Sequence, residues 1–154
     1  MEEKKKRIET RSALGAWDVK YSWQFRAELM DRYCAALKDK KILATKCPQC
    51  GRVFTPPMPR CGRCFIEIDD SWTEVADKGK VVMYIVMYNT IAGEALPEPK
   101  INAVLQLDGA DAWMLAPILN TKPAEMHSGL RVRAVWAKER KGILADLPYF
   151  EADR

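Results

Sequence analysis

One histidine, His127, serves 154 residues, and it falls in a polar connector between two strand-like segments. So small a supply leaves no set of bases from which a histidine metal site or a Ser–His–Asp arrangement could be assembled. A lone histidine in such a place reads as a surface or capping residue. The GxSxG, GxGxxG and GxxxxGK motifs are also missing, which removes the nucleophile elbow, the dinucleotide fingerprint and the phosphate-cradling loop. Acidic residues such as Asp108, Asp111, Glu125, Asp146 and Glu151 fall at turns and ends, where solvated carboxylates are expected, and no spacing pairs two of them. Long apolar runs are absent as well. The longest is Val81–Tyr88, against the roughly 20 residues a bilayer span needs. Met-Glu-Glu-Lys-Lys-Lys-Arg leads into no apolar stretch, so no secretory signal is expected and the expected location is the cytoplasm.

What is present is enough for a folded body: five Trp, five Tyr and many Val and Leu can be buried. The net charge of +4 is unevenly spread. Residues 1–46 hold twelve Lys and Arg against seven Asp and Glu, and residues 47–154 hold thirteen against fourteen. A protein that grips a phosphate backbone carries its basic surplus on the domain that forms the groove, whereas here the surplus sits in an N-terminal arm. Lys4–Arg7 reads as a solvated terminus, with a binding tail as the alternative.

A helical pattern starts near Ser22, with Trp23, Ala27, Met30, Cys34 and Leu37 at spacings of three and four. Ser22 suits its start and Lys38–Lys41 its end. Cys34 lies on the apolar side and reads as an inert core thiol. Trp23, Phe25 and Tyr33 are residues that anchor interfaces; the other reading packs them within the same chain. Ile42–Thr45 and Val53–Phe54 read as short strands around a cysteine-rich stretch. From Trp72 onward strands dominate: Val81–Tyr88, Ile101–Leu107, Trp113–Leu119, Leu130–Trp136 and Gly142–Asp146, with turns at Asp77-Lys78-Gly79 and Asp108-Gly109. Five strands in about seventy residues, with no strong helix between them, predict a small closed barrel of the OB type. The tail Leu147-Pro148-Tyr149-Phe150 either folds back on the barrel or inserts into another subunit. The predicted organisation is an arm and amphipathic helix over 1–41, a cysteine-rich module over 42–70 and a barrel with its tail over 71–154.

Five cysteines are an odd number, which does not suit a disulfide scaffold. Four form close pairs, Cys47-Pro-Gln-Cys50 and Cys61-Gly-Arg-Cys64. Each CxxC makes a tight knuckle with both sulfurs to one side, and Gly51 permits the positive φ that follows such a knuckle. Four thiolates at tetrahedral geometry are the structural zinc arrangement, although the same spacing could hold iron or two redox pairs. A four-cysteine sphere is closed to water and substrate, so the zinc is expected to hold structure and not to perform chemistry.

Together, the run Tyr33–Cys64, then Trp72-Thr-Glu-Val, Gly79-Lys-Val-Val, Leu107-Asp-Gly and Gly129-Leu-Arg-Val-Arg-Ala-Val-Trp136 resemble the acyl-CoA-associated OB-fold proteins with an N-terminal rubredoxin-like zinc ribbon, long catalogued as a domain of unknown function. The resemblance covers about residues 22–150, and residues 1–21 look like an added extension. It implies a mainly β protein with an N-terminal helix, in which the zinc ribbon precedes a five-stranded OB barrel. It further implies a non-catalytic subunit beside a thiolase-superfamily partner that carries the nucleophilic Cys and the His bases. The reaction implied is thiolytic cleavage of, or acyl transfer from, a β-oxoacyl-CoA. The long arm is compatible with a two-component thiolase for an unusual substrate such as benzoylsuccinyl-CoA. CoA needs a basic groove for its phosphates, and the candidates are Arg131 and Arg133 on the outer face of one strand, with Lys138, Arg140 and Lys141 beyond it. The alternative is that the two arginines keep an exposed strand soluble. A second functional class, a nucleic-acid-binding module, draws on Tyr84, Tyr88 and Trp136 but is opposed by the near-neutral barrel segment.

Overall fold

The computed structural model describes residues 20, 22 and 27–154; Trp23, Phe25, Arg26 and the Lys4–Arg7 run lie outside them. Helix α1 covers Ala27–Lys38 and buries Tyr33 and Leu37, with Met30 and Cys34 half-buried against the same core. Tyr33 is therefore an internal anchor, while Ala27 of the expected stripe is exposed. The helix stops where Lys40 takes a left-handed conformation, φ 58°. There the Lys40 and Lys41 N–H groups donate to the Leu37 and Ala36 carbonyls, both at 3.0 Å.

Strand β1 (Ile42–Lys46) is central in a three-stranded antiparallel sheet, flanked by β2 (Val53–Phe54) and β3 (Trp72–Val75). Trp72–Val75, which the sequence groups with the barrel, thus ladders along β1, from Thr45↔Trp72 to Ile42↔Val75. Arg32 of α1 lies over the Trp72 ring, 4.7 Å from its centroid, and pairs with Asp70. Ile42, Ala44 and Val75 join the core that also fills the barrel.

The barrel closes in the order β4 (Lys78–Asn89), β5 (Ala95–Leu107), β6 (Met114–Ile118), β8 (Tyr149–Ala152), β7 (Arg131–Val135). Its interior is lined by Val81, Ile101, Ala103, Leu105, Leu107, Ile118, Val132 and Phe150, all buried. Lys78 and Gly79 are strand residues and not the expected turn. Gly79 pairs with Leu107 on one side and Val132 on the other. A Cβ there would stand 2.3 Å from the Gln106 carbonyl oxygen, so glycine lets β4 serve both neighbours at the seam.

Two further expectations for the barrel fail, the Gly142–Asp146 strand and the solvated Asp146, while the tail follows the first of its two readings and folds back on the barrel. Gly142–Asp146 is not a strand. Its second half is a 3₁₀ turn, Leu144–Asp146, and the Asp146 carboxylate accepts N–H bonds from Lys141, Gly142 and Ile143 at 2.7–3.2 Å. Donors consumed this way cannot serve a strand ladder. The closing strand is instead β8, within the supposed tail: Phe150 is buried and pairs with Ala134, and at Ile118 it links β8 to β6 in parallel. Asp146, expected to be solvated, is 2% exposed. Burial works to raise its pKa, and the three N–H donors outweigh that and hold it below the ordinary carboxyl value.

Candidate metal centre and the cationic strand

The two CxxC segments fold into matching knuckles. In the first, the Cys47 N–H donates to the Arg52 carbonyl (2.8 Å) and Gly51 N–H to the Cys47 carbonyl (2.9 Å). In the second, Cys61 N–H donates to the Ile66 carbonyl and Phe65 N–H to the Cys61 carbonyl, both at 2.9 Å. Within each knuckle the N–H of the second cysteine approaches the first sulfur, at 3.5 and 3.4 Å. The residue after each pair is left-handed: Gly51 with φ 73° and Phe65 with φ 59°. Gly51 announces this in the sequence, and Phe65 gives no such signal.

Four sulfurs around a zinc ion at about 2.3 Å stand about 3.8 Å apart at ideal tetrahedral geometry. Cys50 and Cys61 Sγ are 3.7 Å apart, and the four Sγ atoms all lie within 4.8 Å of one another. Cys47 and Cys61 are buried with Ile68 in a small core to which Phe54 and Ile66 add cover. The Cys61 and Cys64 thiols are pushed in opposite directions. Backbone donors, that of Cys64 foremost, bring Cys61 down to about 7. Hydrogen bonding with Cys50, followed by burial, pushes Cys64 up to about 12. A divalent cation is what allows four thiolates to share such a space. The donor set fits zinc, and Cys47, Cys50, Cys61 and Cys64 would hold it.

The chain matches the rubredoxin-like zinc ribbon domain of ChsH2 over residues 35–68 and the C-terminal OB-fold domain of ChsH2 over residues 72–137. It belongs to the ChsH2 zinc-ribbon and OB-fold family. A Sulfolobus solfataricus protein of unknown function from the DUF35 family has the same fold, with 23% identity, a TM-score of 0.64 and coverage of 82% of this chain and 87% of that one. A second solved structure, described as an Ltp2–ChsH2(DUF35) aldolase, is 23% identical, with a TM-score of 0.57 over 79% of this chain and 91% of its own. At that identity both show the fold. No curated protein sequence matches closely enough to argue from.

Strand β2 is only two residues long, and the barrel props it. The Val53 N–H donates to Asp111 Oδ2 at 2.9 Å, and the Asp111 and Ala112 N–H groups donate to the Val53 carbonyl. Asp111 thus ties ribbon to barrel, a role its place in a turn does not reveal.

The cations singled out by sequence occupy three settings. Arg131 and Arg133 do share the outer face of β7. Arg131 forms a two-armed pair with Asp108, and Arg133 binds Glu151 through Nε and Nη2, at 3.1 and 2.7 Å. Arg131 holds the Asp108 carboxyl below its ordinary value, and Asn120, followed by Arg133, does the same for Glu151. Arg140 turns toward the end of α1, donating to the Lys38 carbonyl at 2.7 Å and to the Ala137 carbonyl at 3.0 Å. Lys138 is exposed and has no carboxylate partner among the described residues. His127 is exposed, with Nδ1 3.0 Å from the Ser128 carbonyl. Trp136 is half-buried and its indole N–H donates to Asp77 at 3.4 Å. Among the described residues no helix is long and apolar enough to cross a membrane.

Proposed function

We propose that this chain is a non-catalytic, zinc-containing subunit of a thiolase-type complex acting on a β-oxoacyl-CoA. The observation that carries this reading is the closed four-cysteine centre, in a chain whose described residues bring no nucleophile and base together. The described histidine bonds to its neighbour's backbone carbonyl, and the fifth cysteine, Cys34, has its thiol pKa raised by burial and then by Asp31 and Asp146. A thiol so held is a poor nucleophile at neutral pH. Bond cleavage then falls to another chain. Support for a catalytic partner comes from the family and from the fold neighbour described together with an aldolase.

Within this reading the zinc, when bound, supplies folding free energy and a fixed ribbon shape. The chain's own residues dock the partner, and Arg131, Arg133, Lys138 and Arg140 are the proposed contacts for CoA phosphates or for the partner's acidic groups. A phosphate at Arg131 or Arg133 must displace Asp108 or Glu151, so these contacts are exchanges and not vacancies.

The decisive experiment compares the isolated zinc-loaded chain with the chain bound to the subunit that stays with it through purification. With a β-oxoacyl-CoA and free CoA as substrates, we expect no thioester turnover by the isolated chain and turnover by the complex. Turnover by the homogeneous chain alone would end this reading.

A further inference from the structure

The barrel presents an apolar surface where a free barrel needs none. Val104 of β5 faces outward between two exposed neighbours, Met83 of β4 and Leu115 of β6, in direct cross-strand register. On the same face lie Ile85, which pairs with Asn102, then Pro117 across from it, and Trp113 two residues before Leu115. Met83, Ile85, Trp113 and Leu115 are 55%, 58%, 56% and 72% exposed. A β-bulge turns them out. Val81 pairs with Leu105 toward the core, whereas Met83 pairs with Val104, so Val82 is the extra residue that reverses the alternation. The Val82 carbonyl is held by Ser128 Oγ at 2.6 Å, which anchors the bulge.

Three features define what covers this face. It is broad and spans three strands, with one shallow depression of about 420 Å³ at the Trp113–Gln106–Lys80 corner, so it suits another protein better than a small ligand, which favours concavity. Its ladders are internally paired within a closed barrel, and Pro97 and Pro99 stud the arm that β4 and β5 extend beyond it, so docking uses side chains and not strand addition. Lysines mark its two ends: Lys80 at one and Lys100, opposite Met87, at the other, neither in a salt bridge among the described residues, with the exposed carboxylates Glu94 and Glu98 farther out on the arm. The arm, whose tip exposes Ile91 completely, carries the face beyond the barrel, toward the roughly 800 Å² that one side of a standard interface buries.

We infer that the outer face of β4–β5–β6 is the docking surface for the catalytic subunit, which presents an apolar patch bordered by carboxylates. This rests on the reading that such a subunit exists, and it assigns the place where that subunit sits. Side-chain oxidation footprinting of the free chain and of the purified complex tests it. Met83 and Trp113 should oxidise readily in the free chain and fall, in the complex, to the level of buried Met126. An Ile85→Glu, Leu115→Glu variant should keep its zinc content and thermal midpoint while binding the purified subunit about a hundredfold more weakly. If a subunit binds but shields another surface, this assignment is overturned and the partner reading survives. If no subunit stays bound and the chain is monomeric, both fall. Self-association that shields Met83 would make a second copy the occupant and overturn the assignment.

Discussion

The barrel has two outer faces of opposite chemistry. On β7 and β8, Arg131 and Arg133 meet Asp108 and Glu151, and Lys78 meets Asp153 at 2.9 Å. On β4–β6, Met83, Ile85 and Leu115 lie exposed around Val104, and the nearby lysines form no salt bridge among the described residues. Scattered apolar side chains are ordinary on a soluble barrel, but a contiguous group spanning three strands is not. The matched charges make the first face self-sufficient in water, while the second is satisfied only by cover. The difference teaches where to look first for assembly: toward the side where charge is missing and apolar area is left over, before the more conspicuous arginines.

The comparison supposes that both faces hang on one closed barrel and that the zinc module is a separate lesion site. Chelating the metal is expected to have the largest effect, since structural zinc contributes about 10 kcal/mol or more of apparent binding energy in zinc-finger peptides. Hydrogen exchange should then rise across residues 47–68 while β5 stays protected. β1 should be affected less than the knuckles, because Ile42 and Ala44 sit in the main core. Loss of protection across β5 as well would make ribbon and barrel one unit.

Gly79→Ala strikes the seam between the faces. Backbone atoms of Gln106 and Leu107 leave no room for its Cβ, so urea denaturation should show a loss of about 2–3 kcal/mol. Partner binding should suffer with it, because both faces lose their frame. An unchanged midpoint would mean that β4 can slide away from Gln106.

Acid should act through Asp146. Its folded pKa lies below the unfolded one, so its stabilisation is fully present above the unfolded value of about 3.9 and is lost as pH falls through the lower folded value. Thermal midpoints recorded from pH 6 to pH 2 should drop in that acid range, and Asp146→Asn should flatten that part of the profile while lowering the midpoint at pH 6. Asp108 and Glu151 shift the same way and add a salt-sensitive share.

The smallest effects belong to the charged face. Arg131→Ala and Arg133→Ala each remove an exposed pair, which contributes little to stability and less in high salt. If these arginines also meet CoA or the partner, the double variant should raise KM for acyl-CoA in the complex or reduce co-purification while the midpoint hardly moves. Normal KM and normal co-purification would leave them as solubilising pairs alone.

The metal site was legible from four cysteines because a CxxC knuckle is a local object: its turn, its N–H donors and its sulfur direction are set within about five residues. Most strands were legible for a similar reason, since Ile101, Ala103, Leu105 and Leu107 alternate plainly. The closing strand was hidden because Tyr149–Ala152 is short and follows a proline, and its membership rests on Phe150 entering a cavity that other strands create. Gly142–Asp146 looked like a strand because its apolar residues were visible and the aspartate's three backbone partners were not.

By itself, then, the sequence determined the ribbon's ligands, the sheet-forming segments and the helix, all of which depend on neighbours close along the chain. Tertiary structure alone decided which way the apolar residues of β4 point. Alternation says that Val81, Met83 and Ile85 share a face, and a single bulge at Val82 sends the first inward and the other two out. That bulge depends on Ser128, Gly129 and Leu130 binding the Val81–Val82 backbone from more than forty residues away, a contact that no local pattern encodes.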